Sequence, residues 1–148
     1  MSHDSSDIDA AIVAKLGADT TLLTLCPNGV YVDEAPPGAT RFVIVSLVDE
    51  VDEPRFGGRA YEDALYLIEA RMLSTAGGNI KAAAARIDVL LEDSPILAPG
   101  SPVTGVTGYT WMTTYRESRV RLTEVDDVDP VLRWYRRGGN YRVQFSVT

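Results

Sequence analysis

Four carboxylates fall within five residues, at Asp49, Glu50, Asp52 and Glu53. Such a cluster has two candidate chemistries: ligation of a hard divalent cation, or an acid paired with a base. The spacing weighs against both. Neighbouring residues of a strand point to opposite faces, and the segment lacks the D-x-[DN]-x-[DN]-G-x5-E order of a calcium loop. A solvated charge run is the favoured reading. A small metal-dependent hydrolase built on these four residues is the rival from another functional class.

The other parts of a catalyst are scarce. His3 is the single histidine and stands at the very start of the chain, so neither a His-dependent triad nor a His-containing metal site is expected. Gly57-Gly58 and Gly77-Gly78 lack the lysine and hydroxyl that would follow in a phosphate-cradling loop, and no G-x-G-x-x-G occurs; turns account for them. Asp126, Asp127 and Asp129 also read as a turn. The lone Cys26 cannot form an internal disulfide and reads as a buried spectator thiol. No catalytic, cofactor-binding or metal-binding residue is expected, and the chain does not read as an enzyme.

At 148 residues and 45% hydrophobic, the chain fits one domain spanning 1–148, with residues 1–6 as a disordered lead-in. A domain of this size buries about 68–70% of its unfolded surface without metal or disulfide support. The first residues carry no basic and apolar leader pattern, and no apolar run approaches the ~20 residues of a membrane span; a soluble protein without a signal peptide is expected. The net charge of −7 is unevenly placed: residues 1–115 hold 16 acidic against 7 basic side chains, residues 116–148 hold 5 against 7. An acidic body repels a polyanion, which disfavours tight DNA binding. Opposed acidic and basic regions suit docking against copies of the same chain or a complementary partner.

Several elements must position these charges. Ile8, Ala11, Ile12 and Leu16 share a helical face after Asp7 as N-cap, Gly17 ends that helix, and Asp19 caps a second short one. Val30–Val32 is a brief strand, followed by an extended proline-bearing loop. Phe42–Val48 reads as a strand covered on both sides, and Leu65–Ser74 reads as its hairpin partner. Between them, residues 49–60 read as a long acidic loop with a solvated tip. Loops of that length are functional or disordered more often than not, so the tip is a candidate contact. Asn79 caps an alanine-rich helix over 79–92 with Ile80, Ala84, Ile87 and Leu91 inward. Residues 103–115, 119–125 and 141–147 read as strands. Trp111, Trp134 and the tyrosines of the last third are core candidates; interleaved with arginines, they also suit an interface. The order gives an α+β fold: a mostly antiparallel sheet with two main helices on one face and a long β-hairpin with an acidic tip. The candidate subunit or partner interface comprises Asp49, Glu50, Asp52, Glu53, Arg55, Phe56 and Arg59 on the hairpin, with Arg133, Trp134, Arg136 and Arg137 near the C-terminus.

The helix Ile8–Leu16, the strand Val30-Tyr31-Val32-Asp33 leading into Ala35-Pro36-Pro37-Gly38, the buried strand Phe42–Val48, the acidic segment, the helix 79–92 and the closing strand Tyr141–Val147 together resemble the tail terminator, or tail-completion, proteins of long-tailed phages. The likeness covers nearly the whole chain in element order, and its most characteristic piece is the short strand followed by Ala-Pro-x-Gly and a buried strand. Residues 126–140 depart from that pattern.

The resemblance implies a virion structural protein, assembled in the host cytoplasm. It would form a homo-oligomeric, hexameric ring on the head-proximal end of the tail. That ring would contact the tail tube protein and the head-tail connector protein, end tube polymerisation and provide the head-tail joining surface, with DNA passing through its lumen without tight binding. A head-tail connector or a tail-tube subunit is the alternative within the same setting.

Overall fold

The computed structural model describes residues 6–55, 58–75, 78–92 and 109–147, with side chains described over 8–49, 63–75, 78–92 and 111–145. Helix α1 (Ser6–Gly17) is followed by α2 (Thr20–Leu25), β1 (Val30–Val32), β2 (Arg41–Arg55), β3 (Gly58–Ser74), α3 (Ile80–Leu91), β4 (Tyr109–Val125) and β5 (Arg133–Val147). The five strands form one sheet in the order β1-β2-β3-β5-β4. All neighbours are antiparallel except β1, which runs parallel to β2. The expected α+β class and mostly antiparallel sheet are observed.

Alternation along the strands builds the core on one side of the sheet. Val43 and Val45 of β2 lie opposite Ala70 and Ile68 of β3, while Tyr66 and Ala64 lie opposite Tyr141 and Val143 of β5. All are buried in one cluster with Ile8, Ala11, Ile12 and Leu16 of α1, Leu22 of α2, and Ile80, Ala83, Ile87 and Leu91 of α3. The predicted inward face of α1 is therefore the observed one. On α3, Ala83 takes the fully buried place expected for Ala84, which is half-buried.

Capping follows the sequence in part. Asp19 accepts from the Leu22 amide at 2.8 Å and caps α2. Asn79 occupies the cap position of α3 but makes no capping hydrogen bond with its side chain. Helix α1 begins at Ser6, so Asp7 lies inside it rather than capping it, and Ser6 is ordered helix rather than part of a lead-in.

The largest correction concerns the acidic segment. It is not a loop: Glu50 to Glu53 pair in register with Ala64 to Tyr61, and Pro54 and Arg55 with Arg59 and Gly58; residues 56–57 lie outside the described residues. Charge density in the sequence reports wet faces, whereas the main chain must still satisfy its own donors and acceptors, and here the ladder does so. The register shift between Glu53 and Pro54 falls where proline removes a ladder donor. The end of the hairpin is two-stranded, because the β3–β5 pairing stops at Glu62 opposite Phe145.

The second correction concerns the last third. What read as two strands is one, β4, with register irregularities between Trp111 and Thr113 and between Arg116 and Ser118; residues 103–108 lie outside the described residues. The unplaced 126–140 stretch resolves into a turn and the first half of β5, so the closing strand begins at Arg133 rather than Tyr141. The aspartates do form that turn: Asp126 accepts from the Asp129 amide, and Asp129 from the Val131 amide.

Candidate functional site

Alternation along β5 divides the residues predicted as one C-terminal surface. Trp134 lies opposite Leu73, and Arg136 opposite Arg71, on the face away from the helices; Arg137 lies opposite Ala70, on the helix-bearing side. Arg133 donates to the carbonyl of Pro130 in the adjoining turn. Of the hairpin residues, Asp49 is exposed. Glu50, Asp52, Glu53, Arg55 and Arg59 are placed by backbone pairing alone, and Phe56 lies outside the described residues. Among the described residues no group of three or more His, Cys, Asp or Glu side chains could hold a metal ion.

The face away from the helices carries a charged network around Glu69, which is fully buried. One carboxylate oxygen, Oε1, accepts from Nε of Arg71 at 2.8 Å and Nε of Arg136 at 2.9 Å. Arg136 continues to Glu124 at 3.1 Å. The other oxygen, Oε2, is buried with no hydrogen-bond partner among the described residues. Beside this network, Phe42 and Trp134 meet edge to face with ring centroids 5.8 Å apart, and the Trp134 indole N–H donates to Asp126 at 3.1 Å. The two rings, Arg71, Glu124 and Arg136 line a small hollow of about 160 Å³. Trp134 is thus a surface-network residue, whereas the half-buried Trp111 packs on the core and donates to Thr114 at 2.8 Å.

Farther along the same face, Arg142 joins three strands. It donates to Asp63 of β3 at 3.0 Å and to both carboxylate oxygens of Glu117 of β4 at 3.1 Å. Glu117 is the extra residue at the second β4 irregularity, and that irregularity is what lets it reach Arg142.

The helix-bearing side holds the second feature, a groove of about 700 Å³ between the outer face of α3 and the β4–β5 ladder. Lys81 stands on its helical wall, and Arg116, Arg119, Arg121 and Arg137 come from the strands. Asp88 is the one lining acid. It pairs with Arg116 at 3.3 Å and accepts from the buried Tyr141 hydroxyl at 3.0 Å; burial, reinforced by the Asp88 charge, pushes the Tyr141 phenol up. Arg119, Arg121, Arg137 and Lys81 have no ion-pair partner among the described residues. The interface predicted from the sequence groups arginines by position in the chain and so omits Lys81 and the three arginines of β4, Arg116, Arg119 and Arg121. The signal was present in Arg119-Val120-Arg121, whose alternation places both arginines on one face.

Cys26 is buried, which pushes its thiol up to about 11. It stays protonated at neutral pH, as a spectator should.

No protein-family profile and no curated protein matches the sequence. Among solved structures, the chain is similar to one in the virion of a native gene transfer agent particle, with a TM-score of 0.61, 22% identity, and 95% of this chain and 96% of that one covered. A second solved chain has a TM-score of 0.52 at 12% identity, with 99% of this chain and 97% of that one covered. At these identities the likeness establishes a shared fold over essentially the full length.

Proposed function

We propose that this chain is a structural component of a virion and, within that class, the terminator of a phage-type tail: a ring subunit that caps the head-proximal end of the tube and offers the surface to which the head joins. The observation that carries the reading is the full-length likeness to a chain of a gene transfer agent virion. The element order expected of tail terminators, from α1 through the closing strand, supports it. A closed homo-oligomer needs one patch to meet a different patch on its neighbour, and an acidic hairpin and a basic groove are two such patches. By resemblance the ring is hexameric, and its partners are the tail tube protein and the head-tail connector protein. A lumen lined with acid would let DNA pass without retention.

Electron microscopy of particles assembled without the chain tests this directly. Tubes of abnormal length together with tailless heads are the expected result. Normal tails beside leaky heads would make it a connector instead, and absence of tubes would make it the tube subunit.

A further inference from the structure

The geometry points to a specific contact between copies of this chain: the acidic segment 49–53 on the β2 strand of the hairpin of one copy seats in the basic groove between α3 and the β4–β5 ladder of the next. This inference rests on the assembly reading above and supplies its interface.

The groove is unfinished as it stands. Arg121 and Arg137 lie directly opposite each other in the ladder, a placement in which like charges destabilise a sheet. Arg119 and Lys81 add two more cations to the same groove. The one acid there, Asp88, is already committed to Arg116 and Tyr141. A partner carrying several closely spaced carboxylates would relieve that repulsion. The chain itself contains such a segment: residues 49–53 hold four carboxylates, on β2 beyond its pairing with β1 and just ahead of the hairpin end, where Arg55 and Arg59 stand.

One copy cannot satisfy itself. Arg137 pairs with Ala70, and the β3–β5 ladder ends eight residues farther along, at Glu62 opposite Phe145. At 3.2–3.4 Å per strand residue, the groove at Ala70 and the acidic residues, which pair with Leu65 to Tyr61, are about 16–30 Å apart along the sheet. Two complementary patches at opposite ends of a molecule make a heterologous, head-to-tail contact, which closes into a ring when the rotation per subunit allows it. The chain's net charge of −7 makes duplex DNA the less suitable occupant of this groove.

The test uses two full-length variants and sedimentation velocity over a range of concentrations in low salt. Arg119→Glu with Arg121→Glu reverses the groove; Glu50→Lys with Asp52→Lys and Glu53→Lys reverses the hairpin. Each alone should weaken self-association by about tenfold or more, while an equimolar mixture should recover it, because the acidic hairpin of the first then meets the basic groove of the second and the reverse. Thermal melts check folding, and Arg119→Gln with Arg121→Gln serves if the reversed groove fails to fold, with a smaller loss expected. A wild-type chain that stays monomeric at every concentration, single variants that associate normally, or a mixture that does not recover would each overturn the contact. So would salt-sensitive binding of a duplex oligonucleotide that vanishes on groove reversal while self-association persists. Recovery in the mixture alongside normal tails on particles lacking the chain would instead leave the contact standing and remove the virion role. Normal association of the variants alongside defective tails would do the opposite.

Discussion

At the scale of single residues, two facing positions, Gly138 and Glu69, set how β3 and β5 meet. Gly138 lies against β3 so closely that an added Cβ would come 2.0 Å from the Ile68 carbonyl oxygen and 2.5 Å from the Glu69 Cα. Both are backbone atoms of a central strand and cannot step aside. Gly138→Ala should therefore cost at least about 2 kcal/mol in denaturant unfolding, and a melt indistinguishable from wild type would refute this close approach. Its neighbour across the ladder, Glu69, holds two guanidinium groups with one oxygen. Replacing it by Ala strands Arg71 and leaves Arg136 with only the exposed Glu124; because both arginines keep some exposure to water, a loss of about 2 to 3 kcal/mol is expected. Urea midpoints measure it, and Glu69→Gln should recover part of the loss through its remaining carbonyl oxygen. The glycine pair at 138 and 139 was visible in the sequence, and glycine inside a strand pattern is a sign of close backbone approach. That sign has force only where the surrounding segment is a strand, and 126–140 shows no regular alternation in the sequence.

At the scale of elements, Asp19 ties the helices to one another. It caps α2 and also receives Arg86 of α3 through two bonds, Nε to Oδ2 at 2.8 Å and Nη2 to Oδ1 at 2.6 Å. The Arg86 hydrogen bond, helped by the Leu22 amide, holds the Asp19 carboxyl below its ordinary value of 3.8. A carboxyl depressed in the folded state contributes stability above its unfolded pKa and loses it as pH falls through the folded one. The stability gap between wild type and Asp19→Asn should thus be fully open at neutral pH and narrow as pH drops below 3.8; a gap that stays constant down to pH 2 would contradict the pairing. Strand β4 shows a second element-scale effect. Each register irregularity shifts the alternation by one residue, so Arg119 and Arg121 face the helices, then Arg116 and Thr114, then Trp111. A single period cannot describe such a strand, which is why it read as two.

At the scale of the whole molecule, the balance of charge decides how copies meet. If hairpin and groove hold subunits together, the attraction must weaken as the Debye length shrinks, from about 10 Å at 0.1 M salt to about 3 Å at 1 M. Sedimentation at rising ionic strength should show the assembly dissociating, and indifference to salt would point to an apolar contact instead. The exposed Leu122, Val125 and Met112 on the outermost strand offer the surface for that other outcome.

The sequence by itself determined the fold class, the face of α1, the inward places of Ile80, Ile87 and Leu91 on α3, the cap at Asp19, the burial of Cys26 and the Asp126–Asp129 turn. All of these depend on local periodicity or on side chains bonding to nearby backbone, and such interactions are written within a few residues. Only the tertiary structure decided that the acidic segment is a paired ladder, that Trp134 and Arg136 part from Arg137, and that Lys81 joins Arg119, Arg121 and Arg137 around one groove. Those outcomes depend on which strand lies beside which and in what register, and a one-residue shift of register exchanges the two faces of a sheet.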